Sequence, residues 1–357
     1  MHDAARMPLR PAHRLRAAAP SSAARPSPTR HVLAAAARSC SSSSPSSSSR
    51  IRPRAIPIDE MTGSDVLNMD AFTSGYLNSH KPVLLRGLAA TWPALNSWPR
   101  LGHIEHACGP NRPVLCERNL RTTATDLAGS GRLFSYGSTD ESVTLPLSEV
   151  LSTLRGKQEQ DAGTIYAAQI PIDELGAALR GDIIMPPHCG LSPPSSWSNP
   201  ASILASLLPS RPPPDIHVWL GASNSVSPLH FDMQHNLLVQ VVGRKHALLF
   251  DPNTCAQALY PCNTIHYGGP SNQSALGERA QLLGVAGVDM AAFPEFANAR
   301  PLEATIHPGD ALFIPAGYWH HVAALPGSLR GVEGEGYHAI SSRASDESVF
   351  SVNFWWQ

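Results

Sequence analysis

Two side chains with metal-ligand chemistry interrupt an otherwise apolar part of the sequence. His230 and Asp232 lie on either side of Phe231 near the start of "SPLHFDMQHNLLVQVVGRKHALLF". Because strand side chains alternate, an H-x-D triplet on a strand would direct both polar groups to one face and turn Phe231 into the core. The triplet alone is not specific, since such pairs also occur as ordinary hydrogen-bonded groups. A metal site therefore needs a third ligand.

A second motif supplies that ligand. "GDALFIPAGYWH" (309–320) has the pattern G-x5-P-x-G-x2-H, which resembles the second motif of the cupin superfamily. It predicts a turn, a strand over Ala311–Ile314, a break at the Pro-x-Gly, and then His320 pointing inward. This spacing selects His320 as the ligand and leaves His321 for the core or for support around the site.

Two histidines and one carboxylate form a facial triad, which leaves about three of six octahedral positions open and suits non-haem Fe(II). A closed structural zinc site would use four ligands. A hydrolytic zinc site with the same three ligands remains possible on ligand count alone. We expect His235 to face away from the metal, and we expect structural roles for the other strand histidines. These are His217, His246, His266 and His307.

The elements that position these residues are mainly short strands. Before the metal motifs, the sequence predicts a helix, a strand and a second helix within residues 69–98. Residues 142–155 end in a predicted helical stretch, and residues 163–171 form a predicted strand. "GRK" (243–245) is interpreted as a turn between two strands. Short strands separated by Gly, Pro and Asp turns favour a sandwich or barrel. The predicted strands are Asp215–Gly221, Leu237–Val242, His246–Phe250, Ala304–His307, Ala311–Ile314, His321–Ala324 and Phe350–Trp355.

Composition divides the chain into a tail and a body. With 357 residues, 42% of them hydrophobic, the chain can build one large core. Residues 1–55 are rich in Arg, Ser and Ala, so we interpret them as a disordered tail or an organelle transit peptide. Residues 56–357 form the predicted domain, with polar insertions at about 190–214 and 329–348. Six irregularly spaced cysteines favour a reducing compartment.

Charge is distributed unevenly between the two parts. Residues 1–54 hold ten arginines and one acid, a net of +9, and the whole chain has a net charge of −1, which leaves −10 for the remainder. An acidic body disfavours nucleic acid and fits a basic protein or peptide. No apolar run is long enough for a transmembrane helix. We expect an intracellular protein, in a mitochondrion or plastid if the tail is a transit peptide and otherwise in the cytoplasm or nucleus.

These motifs together resemble the Jumonji-C (JmjC) 2-oxoglutarate oxygenases. The resemblance rests on P-L-H-x-D-x3-N-x8-K, on G-D-x-L-F-I-P-x3-W-H and on the terminal V-N-F-W-W, and it covers about residues 56–357. The branch most like this chain is that of the small cupin-like protein hydroxylases, which include factor-inhibiting HIF. The resemblance implies a mainly β fold, a double-stranded β-helix or jelly-roll barrel, with surrounding helices that are mostly N-terminal.

The resemblance also implies a site and a reaction. His230, Asp232 and His320 match the Fe(II) ligands. Lys245 matches the lysine that pairs with the distal carboxylate of the cosubstrate 2-oxoglutarate, and it is one of three lysines in a chain with 24 arginines. The remaining matches line the cosubstrate pocket, and they are Asn236, Ser227, Tyr166, Trp355 and Asn353. With O2, such a site converts 2-oxoglutarate to succinate and CO2 and hydroxylates a substrate C–H bond.

Several functions stay open at this point. The preferred one is a dioxygenase that hydroxylates a protein or peptide side chain. The alternatives are a JmjC lysine demethylase, a tRNA-base hydroxylase, a catalytically silent cupin-like binding module, and a metal-dependent cupin enzyme that does not use 2-oxoglutarate. Lys245 and Asn236 disfavour the last, because a dicarboxylate cosubstrate needs both. The chain ends at Gln357 directly after the last predicted strand, so we expect a monomer.

Overall fold

Two sheets form the body of the protein. The structure is a computed structural model, and it describes residues 55–119, 134–135, 141–155, 164–190, 213–222, 225–255, 294–325 and 348–357. The strands of these ranges are β1 Ile56–Pro57, β2 Glu60–Met61, β3 Val83–Leu85, β4 Pro113–Asn119, β5 Phe134–Ser135, β6 Glu141–Pro146, β7 Thr164–Pro171, β8 Asp215–Ala222, β9 Ser225–His230, β10 His235–Val242, β11 Arg244–Phe250, β12 Leu302–Ile306, β13 Ala311–Ile314, β14 Trp319–Leu325 and β15 Ser348–Trp356.

Short helices join these strands, and most precede β8. They are α1 Met69–Phe72, which continues as a π-helix over Thr73–Leu77, α2 Ala94–Ser97, α3 Leu101–Cys108, α4 Leu147–Leu154, α5 Ile172–Leu175, α6 Ala177–Gly181 and α7 Pro252–Cys255, with 3₁₀ turns at Gly63–Leu67 and Pro294–Asn298.

The strand order interleaves distant parts of the chain. One sheet has the order β1-β12-β11-β14-β9-β5, and the other has β2-β3-β13-β10-β15-β8-β7-β4-β6. The pairs that surround the site are antiparallel, including β9 with β14, β10 with β15 and β8 with β15. The fold class predicted from sequence, a mainly β double-stranded β-helix with few and mostly N-terminal helices, is confirmed.

Alternation along the strands separates two interiors. On β10, Leu237 and Val239 join the larger apolar core, which also contains side chains of the N-terminal helices. Leu238 points the other way and joins a smaller cluster with Ala247 and Leu249 of the facing sheet. The space between the two sheets is therefore lined by the side chains of the smaller cluster, and the candidate ligands lie on that same face.

Helix α4 shows how the sequence fixes the outer layer. Pro146 precedes the helix, and Leu147, Val150, Leu151 and Leu154 are all buried. Their spacing of three and four residues forms a single apolar stripe, which packs into the larger core. The helices thus close the outer face of the nine-stranded sheet and leave its inner face to the site.

The predicted strands agree with the structure to within two residues at either end. One local interpretation was wrong: the turn reduces to Gly243 at φ +70, and Lys245 lies inside β11. Most of the two insertions and the whole tail before residue 55 lie outside the described residues, although Ser348 begins β15. No helix in the described ranges has the length and apolar character needed to cross a bilayer.

Candidate metal centre and adjoining pocket

A strand pair brings the two histidines together. His230 is the last residue of β9 and pairs directly with His320 of β14, across a register that becomes irregular after His320. Their ring centroids are 4.2 Å apart with the planes tilted by 52°. Two imidazoles that are distant in the sequence therefore share one small space inside the barrel.

Asp232 reaches the same space from the irregular segment that follows β9. We predicted both polar residues of the triplet on one strand face, but β9 ends at His230, and Phe231 is half-buried against Trp319 with ring centroids 4.9 Å apart. The backbone carbonyl of Asp232 accepts a hydrogen bond of 2.7 Å from the amide of Gly317. Gly317 has φ +77, a conformation that favours glycine, so the Pro-x-Gly break directly holds the first motif in place.

The resulting cluster has the donor chemistry of a metal site. The Asp232 carboxylate lies 4.0 Å from His230 Nε2 and 3.7 Å from His320 Nε2. One ligand atom from each of the three residues lies within 4.8 Å of the others. The His320 Nδ1–H donates to the Tyr318 carbonyl at 3.0 Å, which leaves Nε2 as the lone-pair atom facing the cluster. Two imidazole nitrogens and one carboxylate fit Fe(II).

The neighbouring histidines lie away from this cluster. His321 is buried on the opposite face of β14, and burial lowers the pKa of its imidazole to about 3. His235 accepts a hydrogen bond at Nδ1 from the Ala316 amide and packs against Phe313 and Trp356. The choice of His320 over the adjacent His321 therefore agrees with the geometry, and His235 faces away as expected.

An aromatic wall adjoins the cluster. The Trp355 Nε1–H donates to the Asp232 Oδ2 at 3.4 Å, so the indole restrains the carboxylate. Trp219 packs 6.5 Å from Trp355 and 5.6 Å from Tyr166 between ring centroids, and all three rings are buried in one cluster. The three rings therefore form a buried aromatic wall that spans β7, β8 and β15.

Lys245 is the most unusual charged group in the described part of the chain. It lies inside the barrel with 4% of its surface exposed, so it is a buried strand residue and not part of a turn between the strands. Its Nζ donates to the Ser351 hydroxyl at 2.6 Å and lies 5.6 Å above the Trp219 ring. Burial lowers the pKa of the ammonium to about 7. No carboxylate of the described ranges pairs with it, so this position suits an incoming anion.

The other predicted pocket residues share this interior. Asn353 Nδ2–H donates to Asn236 Oδ1 at 3.0 Å, and both amides are buried. Ser227 is buried on β9 opposite Val322. These three predicted pocket residues are therefore all buried, and they lie on β9, β10 and β15. Their roles toward a metal or cosubstrate remain predictions.

Two inward-facing residues were given no site role from the sequence. Ser351 lies on the same face of β15 as Asn353, and its hydroxyl accepts a hydrogen bond from Lys245 Nζ. His217, interpreted above as structural, packs its ring 4.9 Å from Trp355 on the inner face. Both lie at polar positions that alternate with apolar ones on a buried strand, and that alternation was the available signal.

Comparisons with known proteins agree with this geometry. A family model described as "Cupin-like domain" matches residues 69–357. "Lysine-specific demethylase 8" of Danio rerio is 28% identical over 291 residues, covering 81% of this chain and 56% of the relative. "Lysine-specific demethylase JMJ30" of Arabidopsis thaliana is 26% identical over 290 residues, covering 81% and 53%. "Bifunctional peptidase and (3S)-lysyl hydroxylase JMJD7" of Homo sapiens is 26% identical over 267 residues, covering 72% and 78%. The chain thus spans little more than half the length of the first two relatives.

Proposed function

We propose a function for this chain on one premise: it belongs to the cupin-like domain family, whose model matches residues 69–357. The function is that of an Fe(II)- and 2-oxoglutarate-dependent dioxygenase that hydroxylates a protein or peptide side chain and releases succinate and CO2. One observation carries it. A set of His230, Asp232 and His320 shares a barrel interior with the buried ammonium of Lys245, which no carboxylate of the described residues pairs with.

Iron fits the three-residue cluster better than a structural metal does. Two nitrogen donors and one oxygen donor leave open positions for a cosubstrate and O2, whereas a structural zinc site is closed by four ligands. The orientation of His320 is already set by its bond to Tyr318, and that of Asp232 by Gly317 and Trp355. We propose that these three residues hold the metal on one side.

A dicarboxylate fits the Lys245 end of the pocket. A buried ammonium without an anionic partner is expensive to keep charged, and a carboxylate restores the charged form. Ser351 and the Trp219 ring position the ammonium, and the Asn236–Asn353 pair offers amide groups nearby on the same face. We assign Lys245 to the distal carboxylate of 2-oxoglutarate, with Tyr166, Ser227, Asn236, Asn353 and Trp355 lining its pocket.

The protein's contribution to catalysis is positioning and exclusion of water. When bound, iron supplies the activation of O2 that couples 2-oxoglutarate decarboxylation to C–H hydroxylation. Lys245 balances the charge of the cosubstrate, and Trp355 holds the Asp232 carboxylate through its indole N–H. The buried rings of Tyr166, Trp219 and Trp355 keep that side of the pocket dry.

For the prime substrate we propose a basic protein or peptide. The support is the net charge of −10 that remains for the chain after residue 54, which attracts cations and repels nucleic acid. The resemblance to the small protein hydroxylases favours the same class. We do not favour a tRNA base, because a polyanion would approach an acidic body.

Lysine demethylation is the second candidate, and the names of two relatives favour it. A third relative carries a lysyl hydroxylase name, so the family resemblance alone does not separate the two outcomes. Both begin with oxidation of a C–H bond. Hydroxylation adds one oxygen to the peptide, whereas demethylation removes a methylene equivalent and releases formaldehyde, so peptide mass spectrometry with a formaldehyde assay separates them.

The test uses the full chain with Fe(II), ascorbate, 2-oxoglutarate and O2, and it measures succinate. Asp232→Ala removes a metal ligand, and we expect it to lower turnover by more than the roughly 10–100-fold that follows loss of groups around a ligand. Asp65→Ala, at an exposed position in the 3₁₀ turn Gly63–Leu67, is the matched control and should match the unmodified protein.

A binding measurement covers enzymes that turn over only with their prime substrate. Under anaerobic conditions we would titrate 2-oxoglutarate into the protein loaded with Mn(II) by calorimetry. Binding that is lost in Asp232→Ala supports the oxygenase. If neither succinate formation nor 2-oxoglutarate binding depends on Asp232, the proposal is wrong and a silent binding module takes its place.

A further inference from the structure

Gly221 is the residue on which Tyr166 rests. Gly221 lies on the inner face of β8, which is the same face as that of His217 and Trp219. A Cβ atom at this glycine would lie 2.7 Å from Tyr166 Cδ2, 2.7 Å from Tyr166 Cε2 and 2.8 Å from Ser225 Oγ. Real Cβ atoms essentially never come within 3.0 Å of such neighbours. The tyrosine ring therefore occupies the volume that any side chain at 221 would need.

The backbone itself does not require glycine here. Eight other glycines of the described ranges have positive φ, among them Gly243 and Gly317, but Gly221 does not. Alanine could adopt its conformation, so the constraint that the described residues impose here is steric, through Tyr166 and Ser225. Ser225 is buried, and its hydroxyl donates to the Ala222 carbonyl at 3.0 Å, which fixes that side of the slot.

A chain of contacts leads from this slot to the buried ammonium. Tyr166 has 2% of its surface exposed and packs against Trp219 at 5.6 Å between ring centroids. Trp219 in turn lies under Lys245 Nζ at 5.6 Å. If the tyrosine ring were lifted off β8, it would move toward the interior that Trp219 and Lys245 face. The space next to Lys245 thus stays open because residue 221 has no side chain to displace the Tyr166 ring.

We propose that Gly221 is a positioning residue of the cosubstrate pocket, because its bare Cα lets Tyr166 lie flat on β8 and leaves room for a dicarboxylate at Lys245. The proposal rests on the proposed function for the nature of the ligand. Gly221 acts through Tyr166 and touches neither ligand nor metal. Substitution of Gly221 should therefore weaken binding of 2-oxoglutarate and leave the affinity for the metal unchanged.

The experiment compares Gly221→Ala with Gly102→Ala in the full chain. Gly102 lies in α3, nothing lies within 4 Å of a Cβ built there, and its φ is not positive, so it is the matched control. By anaerobic calorimetry, Gly221→Ala should bind Mn(II) as the unmodified protein does and bind 2-oxoglutarate at least about tenfold more weakly, equivalent to about 1.4 kcal/mol. Gly102→Ala should change neither.

A double-mutant cycle shows whether the effect runs through the tyrosine. Tyr166→Ala alone weakens 2-oxoglutarate binding. Because the ring is then gone, adding Gly221→Ala should change affinity by less than about twofold, a strongly non-additive result for residues in contact. Ser225→Ala should not rescue Gly221→Ala. An additive cycle, rescue by Ser225→Ala, or a Gly221→Ala protein with unchanged affinity would overturn the proposal.

Two further outcomes are decisive. If Gly221→Ala does not fold by circular dichroism, the double variant with Tyr166→Ala decides: recovery of folding supports a contact that runs through the ring, and no recovery overturns it. If the unmodified protein binds Mn(II) but not 2-oxoglutarate, the proposed function fails, and this inference fails with it. Failure of the inference alone is seen as normal 2-oxoglutarate binding in both Gly221→Ala and the unmodified protein.

Discussion

The two sides of the barrel interior differ in polarity. On one side of β10, Leu312 and Ile314 of β13 join Leu238 and Ala247 in a hydrophobic cluster. On the other side, β15 and β8 present Ser351, Asn353 and Trp355 alongside His217 and Trp219. Asn236 lies on the boundary, paired with Ile314 on one edge and with Trp355 on the other.

The difference teaches that one barrel divides stability and chemistry between its halves. The apolar half buries hydrocarbon, which stabilises the fold by roughly 25 cal/mol per Å². The polar half buries an ammonium and two amides, which reduces stability unless a ligand completes their interactions. Substitutions in the two halves should therefore have opposite signatures, and four predictions test this.

The largest effect should come from the apolar half. Leu312 is fully buried on β13. Leu312→Ala should lower the free energy of unfolding by about 2–5 kcal/mol, because it removes buried methyl groups and leaves a cavity. The protein that remains folded should bind 2-oxoglutarate as before. Denaturant unfolding and calorimetry measure the two quantities. A large loss of affinity with little loss of stability would show that the halves are not separate.

Lys245→Met should give the reverse pattern. Among the described residues, the partners of this buried ammonium are a hydroxyl and a ring, so its removal should raise the free energy of unfolding of the ligand-free protein by roughly 2–4 kcal/mol. It should also abolish measurable 2-oxoglutarate binding. Thermal unfolding with and without Mn(II) and 2-oxoglutarate tests both statements. Arg244→Met, one residue earlier on β11 and half-buried, is the control and should retain binding.

The same lysine predicts a pH dependence. Its folded pKa of about 7 lies below the ordinary value of 10.5, so the unfolded chain binds more protons between these values. The stability of the ligand-free protein should therefore rise as pH increases from 7 toward 10.5, by at most about 1.4 kcal/mol per pH unit from this group. Subtracting the Lys245→Met profile isolates its contribution. A flat difference across this window would mean that the ammonium is not desolvated.

The smallest effect should come from Ser351→Ala, which sharpens the comparison within the polar half. The variant removes the hydroxyl that accepts from Lys245 Nζ, so stability should fall by about 1 kcal/mol and 2-oxoglutarate affinity by less than about tenfold. Val352→Ala on the opposite face of β15 should lower stability without changing affinity. If Ser351→Ala abolished binding, the serine would itself contact the ligand.

The sequence was informative wherever a single strand or a fixed spacing carried the signal. The fold class followed from short apolar runs, and the choice of His320 over His321 followed from the Pro-x-Gly spacing. From the sequence, Asp232 was placed on a strand, but the strand ends at His230. The Asp232 backbone is held by a hydrogen bond from Gly317, which lies far along the chain, so a local sequence pattern could not predict its position. Gly221 and Ser351 were overlooked for the same reason, since the ring and the ammonium that give them meaning lie on other strands.

The hydrogen bond from the Gly317 amide to the Asp232 carbonyl has a consequence for folding. It joins segments that are distant in sequence, so it can form only after the β9–β14 pairing closes the barrel. This amide should then exchange its hydrogen with solvent only when the whole barrel opens, whereas amides in the short N-terminal helices can exchange through local fraying. Its exchange rate would therefore report, from one proton, how long the two ligand-bearing segments stay together.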